Sequence, residues 1–374
     1  RVFRFYKAKA FIISDAFGLY VSINSIKIQR DTMDSLTQIV LGSAVGHAIL
    51  GNKVGRKAVL WGAALGTLPD LDVFIPYGGP VEAFTYHRGF SHSLLIHLLI
   101  SPLIVWLILK VHTGMQAYKT RWFWLVFLCL STHALLDSLT VYGTQLLWPF
   151  TEHPFAISNM FIVDPLYTLP LLFGVACTLL PKINSTRAYK VNTTMLVLSS
   201  MYLCSSLILK VIIDDKVTTA LSDRQIKVNN YISTPAPLTT LLWRVVVMSD
   251  GQYYIAYASV FDEPNEVTIN AYNTTPSLLD DINNDWGIKR LQWFTKGFYN
   301  VRQQQSNIIL SDLRMGMECN YVFNFVVGEK TDLGVNVGNF EKISQRSNLR
   351  SMSKIWDRIW NPNVSLVTNS CSNK

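Results

Sequence analysis

Apolar residues crowd into one half of this 374-residue chain, and that concentration limits the folds it can adopt. Six apolar segments can be drawn, of which the first two are short and rich in glycine. Their approximate limits are 36–50, 58–69, 93–109, 122–139, 165–181 and 192–213. Because the last four approach the roughly 20 residues that cross a bilayer, we predict a mainly α, polytopic transmembrane helical bundle.

The sequence changes character after the last apolar segment. Only 16% of the whole chain is charged and its mean hydropathy is +0.23, yet the part from residue 215 onward resembles a soluble domain. Two β-rich runs flank Asp250 and Gly251, a pair typical of a hairpin turn. We therefore predict a membrane-embedded helical domain over 33–214 and a soluble C-terminal α+β domain over 215–374, with a mostly antiparallel sheet.

Residues 1–32 carry six basic and two acidic side chains, so they account for +4 of the net charge of +8. Because Met33 opens the stretch that leads into the first apolar segment, we expect 1–32 to be an upstream or disordered extension. A basic targeting segment is the alternative. The charge of the remaining chain is too small to indicate a nucleic-acid partner.

Basic and acidic loops alternate along the apolar half. The connections 51–57, 110–121 and 182–190 hold three basic residues each, whereas 70–92 and 140–164 hold mainly aspartate, glutamate and histidine. Cytoplasmic loops of membrane proteins are enriched in lysine and arginine. The pattern thus predicts that the acidic loops and the C-terminal domain lie on the non-cytoplasmic side.

The seven histidines all fall between residues 47 and 153, and this clustering favours a functional site. His133 and Asp137 are four apart, so they share one face of a helix and can chelate a divalent cation. A simple His–Asp hydrogen bond between helices is the alternative interpretation.

Two polar loops supply further candidate ligands. Asp70 and Asp72 follow Pro69, which ends or kinks the second segment, and His87 and His92 flank the start of the third. Solvated aspartates and interfacial anchoring are the simpler interpretations of these residues. The predicted ligands of one or two divalent ions (zinc, manganese or magnesium) are Asp70, Asp72, His87, His92, His133 and Asp137.

Other polar residues receive weaker assignments. Asp164 precedes Pro165 and is either a helix N-cap or another carboxylate of the site. Ser91 is the predicted N-cap of the third segment, and His97 a core histidine. His47 is a weak candidate ligand, because a fully crossing first helix would carry it far away. His112 and His153 are expected in loops.

No nucleophile elbow, P-loop or Rossmann fingerprint is present in the sequence, which favours a metal-activated water as the nucleophile. We predict catalytic roles for Asp72, Arg88 and Asp137: a carboxylate would act as general base, and Arg88 would hold an anionic substrate. A site at headgroup level suggests membrane lipids as partners and a lipid-derived or phosphoester substrate. The alternatives are a transporter or proton relay, and a non-catalytic scaffold with a structural metal.

The ordered set "MDSLTQIVLG", "LPDLD", "HRGFSHS", "HALLDSLTVYGTQLLWPF" and "FIVDPLYTLPLL" resembles the YdjM-type family of bacterial inner-membrane proteins. The resemblance covers roughly residues 33–180. It implies a polytopic membrane fold and a hydrolase activity with a divalent metal. It carries over to Asp70, Asp72, His87, Arg88, His92, His133 and Asp137. Many relatives have a histidine where this chain has Gln38, which weakens the expected contribution of the first helix.

Overall fold

The computed structural model describes residues 32–318, 320–332, 334–343 and 351–366. The prediction for residues 1–32 therefore falls, apart from Thr32, outside the described residues.

The first half of the described chain is helical. Its α-helices are α1 (Thr32–Val54), α2 (Arg56–Thr67), α3 (Pro80–Tyr86), α4 (Leu94–Val111), α5 (Lys119–Ser138), α6 (Pro165–Leu179) and α7 (Ser185–Asp223). Two short 3₁₀-helices, Pro69–Phe74 and Phe90–His92, lie in the loops that follow α2 and α3. The predicted helical half is thus confirmed.

The predicted number of membrane segments is wrong. Among the described residues, α4 and α7 are both long and apolar enough to cross a membrane, and α6 is apolar but has 15 residues. The first segment is a helix of 23 residues rather than a short one, and α2 has 12 residues, about 18 Å. Helix α5 carries basic residues at its start and His133 and Asp137 near its end, which lowers its hydropathy.

Helices α1 and α2 pack at unusually close range. A Cβ atom added to Gly62 would lie 2.1 Å from the Gly42 carbonyl oxygen, and one added to Gly46 would lie 2.6 Å from the Ala58 carbonyl oxygen. Side chains therefore do not fit between these backbones, which is the geometry of small-residue helix pairs in membranes. The glycines of these two segments thus allow the close approach of their backbones.

Helix α7 joins the two halves of the chain without a break. It continues through the predicted boundary at 214/215 to Asp223. Ile213 and Val217 of its last turns are fully buried against Trp243 and Val245 of the first sheet. The apolar helix therefore becomes part of the core of the C-terminal domain.

The C-terminal domain contains antiparallel sheets, as predicted. Their strands are β1 (Asn230–Pro235), β2 (Leu242–Ser249), β3 (Gln252–Ser259), β4 (Thr268–Asn273), β5 (Tyr299–Gln304), β6 (Asn307–Asp312), β7 (Gly316–Met317), β8 (Asn320–Tyr321), β9 (Asn324–Thr331) and β10 (Gly334–Val337). Within the described residues, the first sheet has the order β1-β2-β3-β4, the second has the order β10-β9-β6-β5, and β7 pairs with β8.

The predicted hairpin forms between β2 and β3. Ser249 pairs with Gln252, and Gly251 takes a φ of 68°, which glycine adopts without strain. Both faces of this hairpin are buried, one against α7 and the other against α9 (Ser351–Trp360). Helix α8 (Trp286–Phe294) packs on the second sheet.

Candidate metal centre

Two aspartates enter the site from the loop after α2. Pro69 is the first residue of the 3₁₀-helix Pro69–Phe74, so the chain tightens at the point that the sequence predicts. Asp72 is almost completely buried, whereas the side chain of Asp70 is 24% exposed. Asp70 thus lies on the more open side of the site.

Helix α5 supplies the pair His133 and Asp137. Both side chains are buried, and the Nδ1 atom of His133 donates to the carbonyl oxygen of Gly66, 2.6 Å away, at the end of α2. Gln38 of α1 donates through Nε2 to Asp137 Oδ1 over 2.8 Å. Three helices therefore fix the orientation of these two side chains.

His92 comes from the 3₁₀-helix that precedes α4. The N-cap of α4 is Ser93, whose hydroxyl accepts from the Ile96 amide, so the prediction of Ser91 as N-cap is wrong. The chain makes one more tight turn before the helix begins, which leaves Ser91 free for the site. Ser91 donates to Asp72 Oδ2 over 2.7 Å, and its oxygen lies 2.9 Å from Nδ1 of His92.

Four ligand atoms from distant parts of the sequence converge. One atom each of Asp70, His92, His133 and Asp137 lie within 4.8 Å of one another. The Nε2 atoms of the two histidines are 3.2 Å apart. Nε2 of His92 lies 3.1 Å from Asp137 Oδ2, and Nε2 of His133 lies 3.3 Å from Asp70 Oδ1.

The hydrogen bonds around the two imidazoles assign their tautomers. Nδ1 of His133 must carry a proton, since its partner is a carbonyl oxygen. Nδ1 of His92 must also donate, because the only hydroxyl proton of Ser91 goes to Asp72. In neutral imidazoles both Nε2 atoms are then acceptors, and they face carboxylate oxygens that are acceptors as well. Four converging acceptors require a positive charge between them.

The spacing of these atoms fits a single metal ion. Ligand atoms about 2.0–2.1 Å from a tetrahedral zinc ion lie about 3.3 Å from one another. The measured separations between an imidazole nitrogen and a carboxylate oxygen are 3.1–3.4 Å. Oδ1 of Asp70 and Oδ2 of Asp137 are buried and receive no well-formed hydrogen bond from the described residues. The donor set therefore fits a divalent cation.

Asp72 and His87 form a second pair beside this cluster. Nδ1 of His87 donates to Asp72 Oδ1 over 2.8 Å, and the His87 side chain is 25% exposed. Burial alone would raise the pKa of Asp72, but hydrogen bonds from His87 and Ser91 and the nearby imidazoles lower it below its ordinary value. Asp72 is thus an ionised acceptor that orients the residues around it.

Arg88 has an unusual backbone and a buried side chain. Its φ of 61° is rare for a residue other than glycine, and the conformation costs about 1 kcal/mol or more. Its amide donates to Asp72 Oδ2 over 3.0 Å, which pins this conformation. Nε lies 3.3 Å from Asp137 Oδ2, and Nη1 donates to Thr140. The guanidinium therefore offsets part of the negative charge of the site.

The remaining polar residues lie elsewhere. Asp164 caps α6 by accepting from the Leu166 and Tyr167 amides, so the N-cap alternative is confirmed. His97 is a buried core histidine as predicted, with Nε2 on the Ser91 carbonyl oxygen. His47, His112 and His153 are not members of the cluster.

Sequence reasoning missed two contributions. Gln38 reaches the site as a hydrogen-bond donor rather than as a metal ligand, so α1 does take part. The position of Gln38 in the motif "MDSLTQIVLG" was the sequence signal for this contribution. The carbonyl of Gly66 orients His133, and a backbone group of this kind leaves no residue-type signature.

The C-terminal domain packs against the loops of the site. Phe84 of α3 contacts Phe294 of α8, with ring centroids 4.8 Å apart. Tyr142 also packs on Phe294, and its ring lies 5.4 Å from the guanidinium of Arg88. Nη1 of Arg314 donates to the Tyr142 carbonyl oxygen. The C-terminal domain thus holds one wall of the site.

The described residues thus combine two helices that are long and apolar enough to cross a membrane with a buried histidine–aspartate cluster. Residues 33–213 match the family model described as YdjM inner membrane protein.

Two relatives are also similar in sequence. The chain is 26% identical over 254 residues to the uncharacterised protein YfhP of Bacillus subtilis (strain 168), covering 65% of this chain and 73% of YfhP. It is 34% identical over 119 residues to the inner membrane protein YbcI of Escherichia coli (strain K12), covering 28% of this chain. The chain thus spans 62% of the length of YbcI. No solved structure matches the chain.

Proposed function

We propose that the protein is a membrane-bound, metal-dependent hydrolase of the bacterial inner membrane. Asp70, His92, His133 and Asp137 would hold one divalent ion. The observation that carries the proposal is the convergence of two imidazole nitrogens and two carboxylate oxygens, all of which are acceptors when the imidazoles are neutral. A divalent ion in this position lowers the pKa of a bound water and polarises the oxygen of a carbonyl or phosphoryl group.

The charges of the site support a divalent ion. Asp70, Asp72 and Asp137 supply three negative charges within the cluster and its immediate neighbours, and Arg88 supplies one positive charge. With neutral imidazoles, the buried group would carry two negative charges, which is costly in a low-dielectric environment. A divalent cation neutralises them.

His87 and Asp72 are suited to proton transfer. Because Nδ1 of His87 donates to Asp72, its Nε2 carries the lone pair, and the ring lies at the exposed side of the site. The rings of His87 and His92 are 6.2 Å apart. In this proposal Asp72 orients His87, and His87 accepts or donates the proton of the reaction. Asp72 and His87 would then act beside the ion rather than as its ligands.

Arg88 and Asp137 are coupled in the same proposal. The guanidinium is held by Asp137, by Thr140 and over the ring of Tyr142. It would stabilise negative charge that develops on an anionic substrate, since preorganised donors act most strongly at a buried site. Asp137 would hold both the ion and this guanidinium.

The metal and its coordination number distinguish an enzyme from a non-catalytic scaffold with a structural metal. Two imidazoles and two carboxylates suit zinc or manganese better than magnesium, which prefers oxygen ligands. Four protein ligands complete the shell of a tetrahedral zinc ion, and this observation favours the scaffold alternative. A five- or six-coordinate ion would retain an open position, and the partial exposure of Asp70 provides a route to it.

The surroundings of the site support an amphiphilic substrate. The loop that holds Asp70 and Asp72 also exposes Leu71, Val73 and Phe74, the last by 75%. The loop that holds His92 leads directly into α4, a candidate membrane span. A lipid-derived ester or phosphoester would place its polar group at the ion while its chain stays against these apolar side chains.

Replacing His87 by asparagine tests the enzymatic proposal. We expect the His87→Asn protein to keep its metal but to hydrolyse its substrate about 10²–10⁴-fold more slowly, the usual contribution of a general acid or base. The measurement is hydrolysis of a panel of lipid phosphates and soluble esters, with and without chelator. His153→Asn is a matched control in an exposed loop and should change neither metal content nor rate. Chelator-insensitive or absent hydrolysis across the panel would favour the scaffold.

A topology experiment tests the proposed location of the C-terminal domain. The basic ends of α1, α5 and α7 meet at one end of the bundle, where Arg121 of α5 donates to Asn52 and Tyr189 of α7 donates to the Ala48 carbonyl oxygen. We expect alkaline phosphatase fused to the C-terminus to be active and a green fluorescent protein fusion to be dark. The reverse result would place the site and the domain in the cytoplasm.

A further inference from the structure

Three exposed aromatic side chains form a patch on the C-terminal domain. Phe261, Trp356 and Trp360 are 55%, 62% and 57% exposed. The rings of Phe261 and Trp360 stack 4.9 Å apart, and those of Trp356 and Trp360 meet edge to face at 6.1 Å. Large exposed aromatic groups on a soluble domain mark a surface that contacts something else. We call these three residues the aromatic patch.

The patch is held rigidly in place. Arg358 is fully buried in α9, and its Nη2 atom donates to Asp262 Oδ2 over 2.7 Å. The hydroxyl of Ser259 donates to the carbonyl oxygen of Ile359. Helix α9 therefore buries Ile355 and Ile359, while its two tryptophans, one turn apart, face outward. The packing of α9 therefore holds the two tryptophans in fixed, outward-facing positions.

The patch lies where α7 leaves its apolar stretch. Nζ of Lys216 donates to the carbonyl oxygens of Val260 and Asp262, on either side of Phe261. One turn earlier on α7, Val211 and Ile212 are 69% and 41% exposed. The aromatic patch thus continues the exposed apolar face of a candidate membrane span.

The area of the patch argues against a second copy of the chain. Large aromatic side chains bury about 150–250 Å² each, so three half-exposed ones offer roughly 400 Å². A stable protein interface buries about 800 Å² on each partner. Tryptophan, by contrast, is enriched at the headgroup level of membranes, where one part of the ring is apolar and another is polar.

We infer that the aromatic patch inserts into the headgroup layer of the bilayer that α7 crosses, and so anchors the C-terminal domain on the membrane surface. The opposite end of the same sheet supports this orientation. The β2–β3 turn at Asp250 is bound by Lys227 and Asn229, beyond the end of α7. Ten residues of helix separate Ile213 from Asp223, about 15 Å. One end of the hairpin thus touches lipid and the other end faces water.

The test measures the depth of a fluorophore in the full chain. Single cysteines at 356 and 261 (Trp356→Cys and Phe261→Cys) are labelled with an environment-sensitive dye in a background whose native cysteines are serine. The protein is reconstituted in vesicles of phosphatidylethanolamine and phosphatidylglycerol. The matched control is Val228→Cys, a residue 39% exposed near the far end of the hairpin. Thermal unfolding checks that each variant folds.

We expect lipid carrying a headgroup-level nitroxide to quench most of the fluorescence at 356 and 261 and little at 228. Iodide in the water should quench in the reverse order. Equal iodide quenching at all three positions would show a solvent-exposed patch and overturn the inference. Protection from both quenchers would show that protein covers the patch, which also overturns it. The two labelled positions guard against failure of one variant to fold.

Discussion

Purified His133→Ala and Asp137→Ala proteins are expected to lose the divalent metal that the parent protein carries in stoichiometric amount. Each substitution removes one of four converging ligand atoms and leaves the other three without a complete site. Gln38→Ala should have a smaller effect, because Gln38 is not a ligand and acts through hydrogen bonds to Asp137 Oδ1 and the His133 carbonyl oxygen. Removing such an outer-shell partner weakens metal affinity about 10–100-fold. Metal content is measured by mass spectrometry after purification in detergent.

His153, which lies outside the cluster, provides the control for this experiment. His153→Ala should retain the full metal content, because His153 is exposed in a loop. In the parent protein, chelator should also lower the melting temperature, since the ion binds the folded state only. Unchanged metal content in both His133→Ala and Asp137→Ala would refute the ligand assignment and, with it, the hydrolase proposal.

Gly62→Leu is expected to disrupt the bundle and empty the metal centre together. A Cβ at this position would lie 2.1 Å from the Gly42 carbonyl oxygen, so helices α1 and α2 must separate before any side chain fits. Overpacking of this kind costs about 1–3 kcal/mol or more. Because Gly66 orients His133 from the same helix, a shift of α2 also moves a ligand.

The control substitution Ala64→Leu distinguishes an effect of helix packing from an effect of added hydrophobicity. Ala64 is on the exposed side of α2, so Ala64→Leu adds the same side chain without entering the α1–α2 interface. It should leave both the melting temperature and the metal content near those of the parent. If Gly62→Leu behaves like Ala64→Leu in both measurements, the close packing of the two helices does not support the site.

Local patterns in the sequence were enough to predict much of the fold and half of the site chemistry. The i,i+4 spacing of His133 and Asp137 fixes their common helix face, and Asp250-Gly251 fixes the hairpin. Both depend on neighbours in the chain. The convergence of Asp70 and His92 with that pair depends instead on tertiary packing, which no spacing in the sequence encodes.

The two wrong predictions, the number of membrane segments and the Ser91 cap, both concern features that tertiary packing determines. Four of the six apolar segments approach spanning length, but apolar composition alone does not separate a lipid-facing helix from one packed inside a bundle. In helix α2, Gly62 and Gly66 pack directly against α1, so this apolar segment serves helix packing. Ser91 was assigned as a cap, but its hydroxyl bridges Asp72 and His92, a role that only the folded loop defines.

Helix α7 is continuous over 39 residues and is therefore about 58 Å long. Because the last turns of α7 pack in the core of the first sheet, the C-terminal domain has no hinge at this junction and would follow a change in the tilt of the helix. Helices tilt when the surrounding hydrocarbon layer becomes thinner. A change in the tilt of α7 would therefore move the first sheet with it, since Trp243 and Val245 pack directly on the helix.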